Sequence, residues 1–327
     1  MRRLHVIAAM LLTVRCATVS PPKPPELPPS HGHRHGQGMT ATSTAESLGM
    51  FPPMFGLPSR IVDLRTKKAV GLETFLDDLM SARVIYIGEN HPSPHDHAVQ
   101  AGILRHLWRR DPSIWVGVEM VSKPFQGGLD AWLAGETEEE ELLAALQWEE
   151  RWGYDFMMYR PIFEFARAHR LPLFGLNAPS ELTKAASQGG LEGLSAAQRA
   201  ELPELDTKNE AHRKMVAEAF EDHKLSPERF ERFYLAQLIW DETMAESVRT
   251  HALAKGAPHR GVVLAGLGHV RERLGIPSRA ERRGVSPDRV VVPVLLDEET
   301  TLEEALEDPA GDYAWIMAAD AAALPEP

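Results

Sequence analysis

Between Gly88 and His97 the sequence reads GENHPSPHDH, which sets Glu89, His91 and His97 directly behind an apolar run that starts near residue 83. A carboxylate and imidazoles at that density can move protons or ligate a metal ion. Three more apolar runs deliver polar groups at their ends: Glu119 closes IWVGVE, Asn177 closes LPLFGLN, and His269 follows GVVLAG. Ligands of an open parallel sheet bind outside the carboxyl ends of its strands, so four strand ends would furnish one edge with a site. Gly88 and Gly266 recur in GENH and GLGH. Glycine lets the chain turn off the strand there, and the imidazole three residues on swings back over the edge. The Gly-x-x-His match is weak by itself, and its place at two strand exits carries the weight.

His91, Glu119 and His269 make a candidate N/O site for a divalent metal such as manganese, cobalt or zinc. Together with Glu89 they are the candidate catalytic groups of a hydrolase, a peptidase or an esterase. His97 and Asn177 are placed as supporting groups behind them. The competing reading is that His91 and His269 only cap strand and helix ends. A second feature lies in PERFERFYLAQLIWDETMAESV, residues 227–248, where Phe230, Phe233, Tyr234, Gln237, Trp240, Asp241, Met244 and Val248 follow helical spacing. Core packing accounts for the aromatic residues, but buried Gln237 and Asp241 would need partners, so the stripe is expected to line a pocket shared with the sheet edge.

The elements that must hold these groups follow from the pattern. Strand-like runs at 83–88, 114–119, 171–177 and 261–266 are joined by a fifth at 290–296, where Pro293 points to an edge position. Residues 94–109 form one crossover helix, with Ser93 as N-cap and Pro94 at the first helical position. Residues 124–170 and 179–255 are longer than a crossover needs and are expected to be helical insertions. The fold expected is α/β, a mainly parallel sheet flanked by helices with a large inserted helical subdomain. It occupies 56–300 as a single domain, with 301–327 as a C-terminal tail.

With 43% hydrophobic and 25% charged residues the 327-residue chain can bury a sizeable core. Its net charge of −12 would repel the phosphate backbone, so nucleic acid is not a partner. Residues 1–16, MRRLHVIAAMLLTVRC, read as a signal peptide whose apolar part is too short to span a bilayer. Cys16 falls where bacterial lipoprotein signals place the lipidated cysteine, although Arg15 stands where they prefer a small residue. It is either a lipid anchor or part of a peptide that is removed. Residues 17–55, rich in Pro, Gly and His, read as a disordered tether. Export is expected, to the periplasm or to an outer-membrane anchor.

GENHPSPHDHAVQ, GVEM, YRPIFEFARAHRLPLFGLNAP, QLIWDETMA and LAGLGHVRERLGIPSR together resemble the motifs of the ChaN-like haem-binding lipoprotein family, in the Tiki and erythromycin-esterase-like superfamily. The resemblance runs over residues 62–294. It implies an outer-membrane-associated lipoprotein that binds haem for iron uptake in a pocket of its helical part, often as a homodimer, with a tyrosine on the iron. Tyr154, Tyr159 and Tyr234 are the candidates here, with Gln237 and Asp241 nearby in the stripe. Relatives in the superfamily include metal-dependent hydrolases, which resemble this chain at His91, His269 and Glu119. Pro92 departs from the family pattern, which has an acidic or amide residue after the histidine.

Overall fold

A computed structural model describes residues 57–221, 224–254, 260–307 and 310–325. The signal peptide, Cys16 and the tether at 17–55 lie outside the described residues. Eight strands form one sheet in the order β2-β1-β8-β7-β3-β6-β4-β5. They are β1 (Ser59–Asp63), β2 (Lys68–Val70), β3 (Val84–Glu89), β4 (Ile114–Ser122), β5 (Leu173–Asn177), β6 (Arg260–Gly266), β7 (Asp288–Leu296) and β8 (Tyr313–Ala318). All neighbours from β8 to β5 are parallel, and β1 is antiparallel to both β8 and β2. The carboxyl ends of β3, β6, β4 and β5 therefore share one edge.

Alternate residues of the strands feed two cores. Ile85, Ile87, Val116, Val118 and Leu264 face helices Leu72–Met80, Pro94–Arg110, Gln126–Ala134 and Phe156–His169. Tyr86, Trp115, Val263 and Val290 face helices Pro227–Leu253 and Ile276–Arg282. Such two-sided burial explains why the strands are apolar throughout rather than alternating. Trp115 pairs across the ladder with Gly261, where a side chain would collide with the indole, so the glycine makes room for the largest residue of that core. The outer part of the 180–253 segment adds two smaller clusters, one around Leu182 and Ile239 and one around Val216 and Tyr234.

Two expectations are corrected. β7 is interior, flanked by β3 and β8, although it contains Pro293. The Val290 N–H bonds Asp312 on the β8 side, so by alternation residue 293 turns its nitrogen toward β3, whose pairing with β7 has already ended at Val291. The proline thus sits where no ladder bond is lost. Residues 301–327 are not simply a tail, because Tyr313–Ala318 supplies β8, every residue of which is buried. Among the described residues no helix is long and apolar enough to cross a membrane.

Candidate functional site

The loop leaving β3 is built around one buried acid. Asp96 accepts hydrogen bonds from the backbone N–H and side-chain amide of Asn90 at 2.7 and 2.9 Å and from the Ser93 hydroxyl at 2.8 Å. Ser93 caps helix Pro94–Arg110, with Pro94 in its first turn. Burial pushes the Asp96 carboxyl up to about 6 against the pull of these donors. From the next turn His97 Nε2 donates to the His91 carbonyl at 3.0 Å, and Gln100 holds the Ile87 carbonyl at 3.1 Å. The crossover helix therefore fixes the strand exit on which Glu89 and His91 ride.

Glu89 is the hub of the first half of the site. Its Oε1 lies 2.8 Å from His91 Nδ1 and accepts from the Tyr159 hydroxyl at 3.1 Å, while Oε2 is 3.3 Å from His97 Nδ1 without the alignment of a hydrogen bond. Burial acts to raise the Glu89 carboxyl, but His97 and His91 outweigh it and hold it well below the usual range. His97 is correspondingly raised, Glu89 overcoming the effect of burial.

The second half is a chain of alternating charges running inward from β4. Glu119 accepts from the Gly266 N–H at 2.6 Å and faces His269 Nε2 at 3.2 Å. His269 Nδ1 donates to Asp241 at 2.6 Å, and Asp241 lies 3.0 Å from His212 Nε2. His212 Nδ1 accepts from Arg279 at 3.1 Å, and Arg279 continues to Glu242 at 3.2 Å. Burial opposes charge on His269, yet Glu119 and Asp241 raise its imidazole to about 10, so at neutral pH it is an imidazolium with both N–H groups taken. Both carboxylates are lowered in return. Gln237 Nε2 lies 3.1 Å from His269 Nδ1 while its Oε1 is buried without a partner; with the amide O and N exchanged, the oxygen accepts from the His269 Nδ1–H.

This geometry sorts the candidate residues. Glu89, His91 and His97 meet, as do Glu119, His269, Gln237 and Asp241, and both sets lie at the strand ends. Asn177 does not join them: its side-chain Oδ1 accepts from the Ala178 N–H at 2.8 Å in the turn after β5. His91, Glu119 and His269 do not form the expected metal site, since each carboxylate is spent on an imidazole or a backbone donor. Among the described residues no three His, Cys, Asp or Glu side chains are grouped to hold a metal ion. His212, Arg279 and Trp152 belong to the arrangement without having been singled out. Arg279 ends the family-like stretch LAGLGHVRERLGIPSR, whereas His212 sits in EAHRKMVAEA, which reads as a solvated helix face.

Residues 75–280 match the family described as haem-binding uptake, Tiki superfamily, ChaN. The chain belongs to this family. Its fold is similar to that of ChaN of Campylobacter jejuni, described with cofacial haem binding, at 22% identity and a TM-score of 0.62 over 79% of this chain and 96% of that one. An erythromycin esterase mutant in its open conformation aligns at 13% identity over 79% of this chain and 82% of the other, with a TM-score of 0.44. No curated protein matches the sequence.

The resemblance implies a tyrosine on the iron, and the three candidate tyrosines differ in exposure. Tyr159 is fully buried, bonded to Glu89 and wedged against His97 at 4.2 Å between ring centres. Tyr234 is 2% exposed, with its hydroxyl 3.2 Å from His212. Neither phenol can reach a porphyrin without breaking the core. Gln237 and Asp241, expected near haem, are committed to His269. Tyr154 differs: it is half-buried, and its hydroxyl makes no hydrogen bond among the described residues. It lies against His91 at 5.0 Å and Trp152 at 5.6 Å between ring centres, and Met157, three residues on in sequence, is 55% exposed. A free phenol on an apolar, aromatic lip is a donor set that suits a flat iron porphyrin.

Proposed function

We propose that this protein binds ferric haem at the lip of the sheet edge, with Tyr154 on the iron and Trp152 and Met157 against the porphyrin, and that it serves haem or iron uptake. The observation that carries the reading is the availability of Tyr154, set against the commitment of Tyr159 and Tyr234. Electrostatics support it. Burial, with Glu119 and Glu89 nearby, holds the Tyr154 phenol above its usual range. Its phenolate therefore needs a cation beside it, which ferric iron would supply. A hard, anionic phenolate is matched to ferric iron. Because the lip is exposed, haem held there would offer its other face to a second chain, consistent with a homodimer and with the cofacial arrangement named for the Campylobacter jejuni protein.

Titration with haemin is expected to give a saturable absorbance change with the spectrum of high-spin ferric tyrosinate. Tyr154→Phe should abolish it, while Tyr159→Phe and Tyr234→Phe keep it. A Tyr154→Phe protein that retains the spectrum would end this reading.

We further propose that the protein works in the cell envelope, anchored through a lipidated Cys16 and held clear of the headgroups by the 17–55 tether. Pro-rich chain extends by about 3 Å per residue, so the tether is long enough. Wild type should fractionate with membranes and Cys16→Ser should not. A soluble wild type with its mature N-terminus beyond Cys16 would remove the anchor without touching the haem reading.

A further inference from the structure

We propose that residues 149–153 form a lid over the sheet edge, latched by Arg151 and hinged at Gly153, which opens to admit small solutes to His91. The lid lies beside Tyr154 and does not depend on haem being bound there.

The edge is closed as it stands. His91, Glu89, Glu119 and His269 occupy the strand ends where an open parallel sheet meets its ligands, yet all four are buried, His91 with 4% of its surface exposed. Two aromatic rings cover His91: that of Trp152, edge-on at 4.6 Å between ring centres, and that of Tyr154 at 5.0 Å. A solute reaches the imidazole only when one of them moves. Glu89 holds Nδ1 of His91 at 2.8 Å, so the nitrogen left for a solute is Nε2.

The two rings differ in what holds their backbone. The Tyr154 carbonyl accepts from the Trp148 indole at 2.7 Å, and Asp155 then caps helix Phe156–His169. Trp148 is itself buried in the core. Residues 149–153 span the gap between these fixed points, and left-handed residues bound the stretch, Gln147 with φ 51° and Gly153 with φ 76°. Glycine moves between left- and right-handed backbone at little cost, so Gly153 can absorb the rotation that swings Trp152 outward.

A polar latch at the surface keeps the lid shut. Arg151 donates to Gln147 at 2.7 Å, and to Ser180 at 2.6 Å and Glu181 at 2.7 Å at the start of helix Ser180–Gly189. Its guanidinium also lies over the Phe125 ring at 4.4 Å. The Glu181 side chain is 63% exposed, and exposed ion pairs hold weakly and are screened by salt. Opening also separates Trp152 from the rings of His91, Tyr154 and Tyr159, so the open state is a minor one whose population the latch sets.

Chemical labelling reads that minor state. A covered side chain reacts at its intrinsic rate multiplied by the open fraction, so diethyl pyrocarbonate, which acylates a free imidazole nitrogen, reports opening at His91. The full-length protein is labelled and each histidine followed by peptide mass. Arg151→Ala and Glu181→Gln should each raise the His91 rate by about three- to tenfold. The double variant should do no more than Arg151→Ala alone, because both changes cut one latch. Salt near about 1 M should raise the wild-type rate and leave that of Arg151→Ala where it is. His97, buried against Glu89 and Tyr159, is the control, since a reagent reaches it only when the site unfolds. A His91 rate that ignores Arg151, Glu181 and salt, or that rises only in step with His97, overturns the lid and leaves the haemin titration as an independent test of Tyr154.

Discussion

Asp241→Ala is expected to destabilise the protein by roughly 3–5 kcal/mol, seen as a lower denaturation midpoint in urea. Asp241 has no exposed surface and lies between two imidazoles, His269 at 2.6 Å and His212 at 3.0 Å. Removing it leaves His269 as a buried imidazolium with Glu119 as its remaining carboxylate. The penalty comes from that stranded charge more than from the lost contact, because two buried ions cost as much to desolvate as their attraction returns. Asp241→Asn keeps the volume and removes the charge, so His269 can shed its proton and the loss should be smaller. A change below about 1 kcal/mol in Asp241→Ala would mean that the chain from Glu119 to Glu242 carries no net strain when cut.

How far the sequence discloses this arrangement depends on distance along the chain. Glu89, His91, Glu119 and His269 are legible because each lies within a few residues of an apolar strand whose end defines the edge. Gln237 and Asp241 are half legible: as polar residues in an apolar stripe they demand partners, but the partner, His269, lies more than a turn of sequence logic away, on another strand exit. His212 is illegible, since its helix looks solvated until the fold lays it on Asp241. The choice among the tyrosines is likewise a matter of burial. Tyr154 and Tyr159 are five residues apart in similar aromatic company, and only packing commits one to Glu89 and leaves the other on the lip. β8 was hidden by context: YAWIMA is apolar enough for a strand but follows the acidic stretch DEETTLEEALED and reads as part of a tail.

Stability should be greatest on the acid side of neutrality and decline steadily from about pH 5 to pH 10, the reverse of what paired carboxylates alone produce. Glu89, Glu119 and Asp241 are lowered in the folded state, so their contribution is complete above the usual carboxylate range and is lost as pH falls through their folded values. His269 works in the opposite sense. Raised to about 10 from 6.5, its stabilising effect is complete below pH 6.5 and drains away up to about pH 10, because the folded state then binds a proton that the unfolded state has released. The limiting slope is about 1.4 kcal/mol per pH unit. His97, also raised, adds to the same limb. Asp96, raised to about 6 from 3.8, brings the decline to lower pH, since its burial costs most once it must ionise. Urea midpoints followed against pH will separate the groups: His269→Gln should flatten the limb above pH 6.5, and Asp96→Asn the limb between about 4 and 6. Midpoints that stay level or rise from pH 6 to 9 in the wild type would show that His269 is not held as an imidazolium, and the alternating chain of charges would then have to be replaced by one of neutral hydrogen bonds.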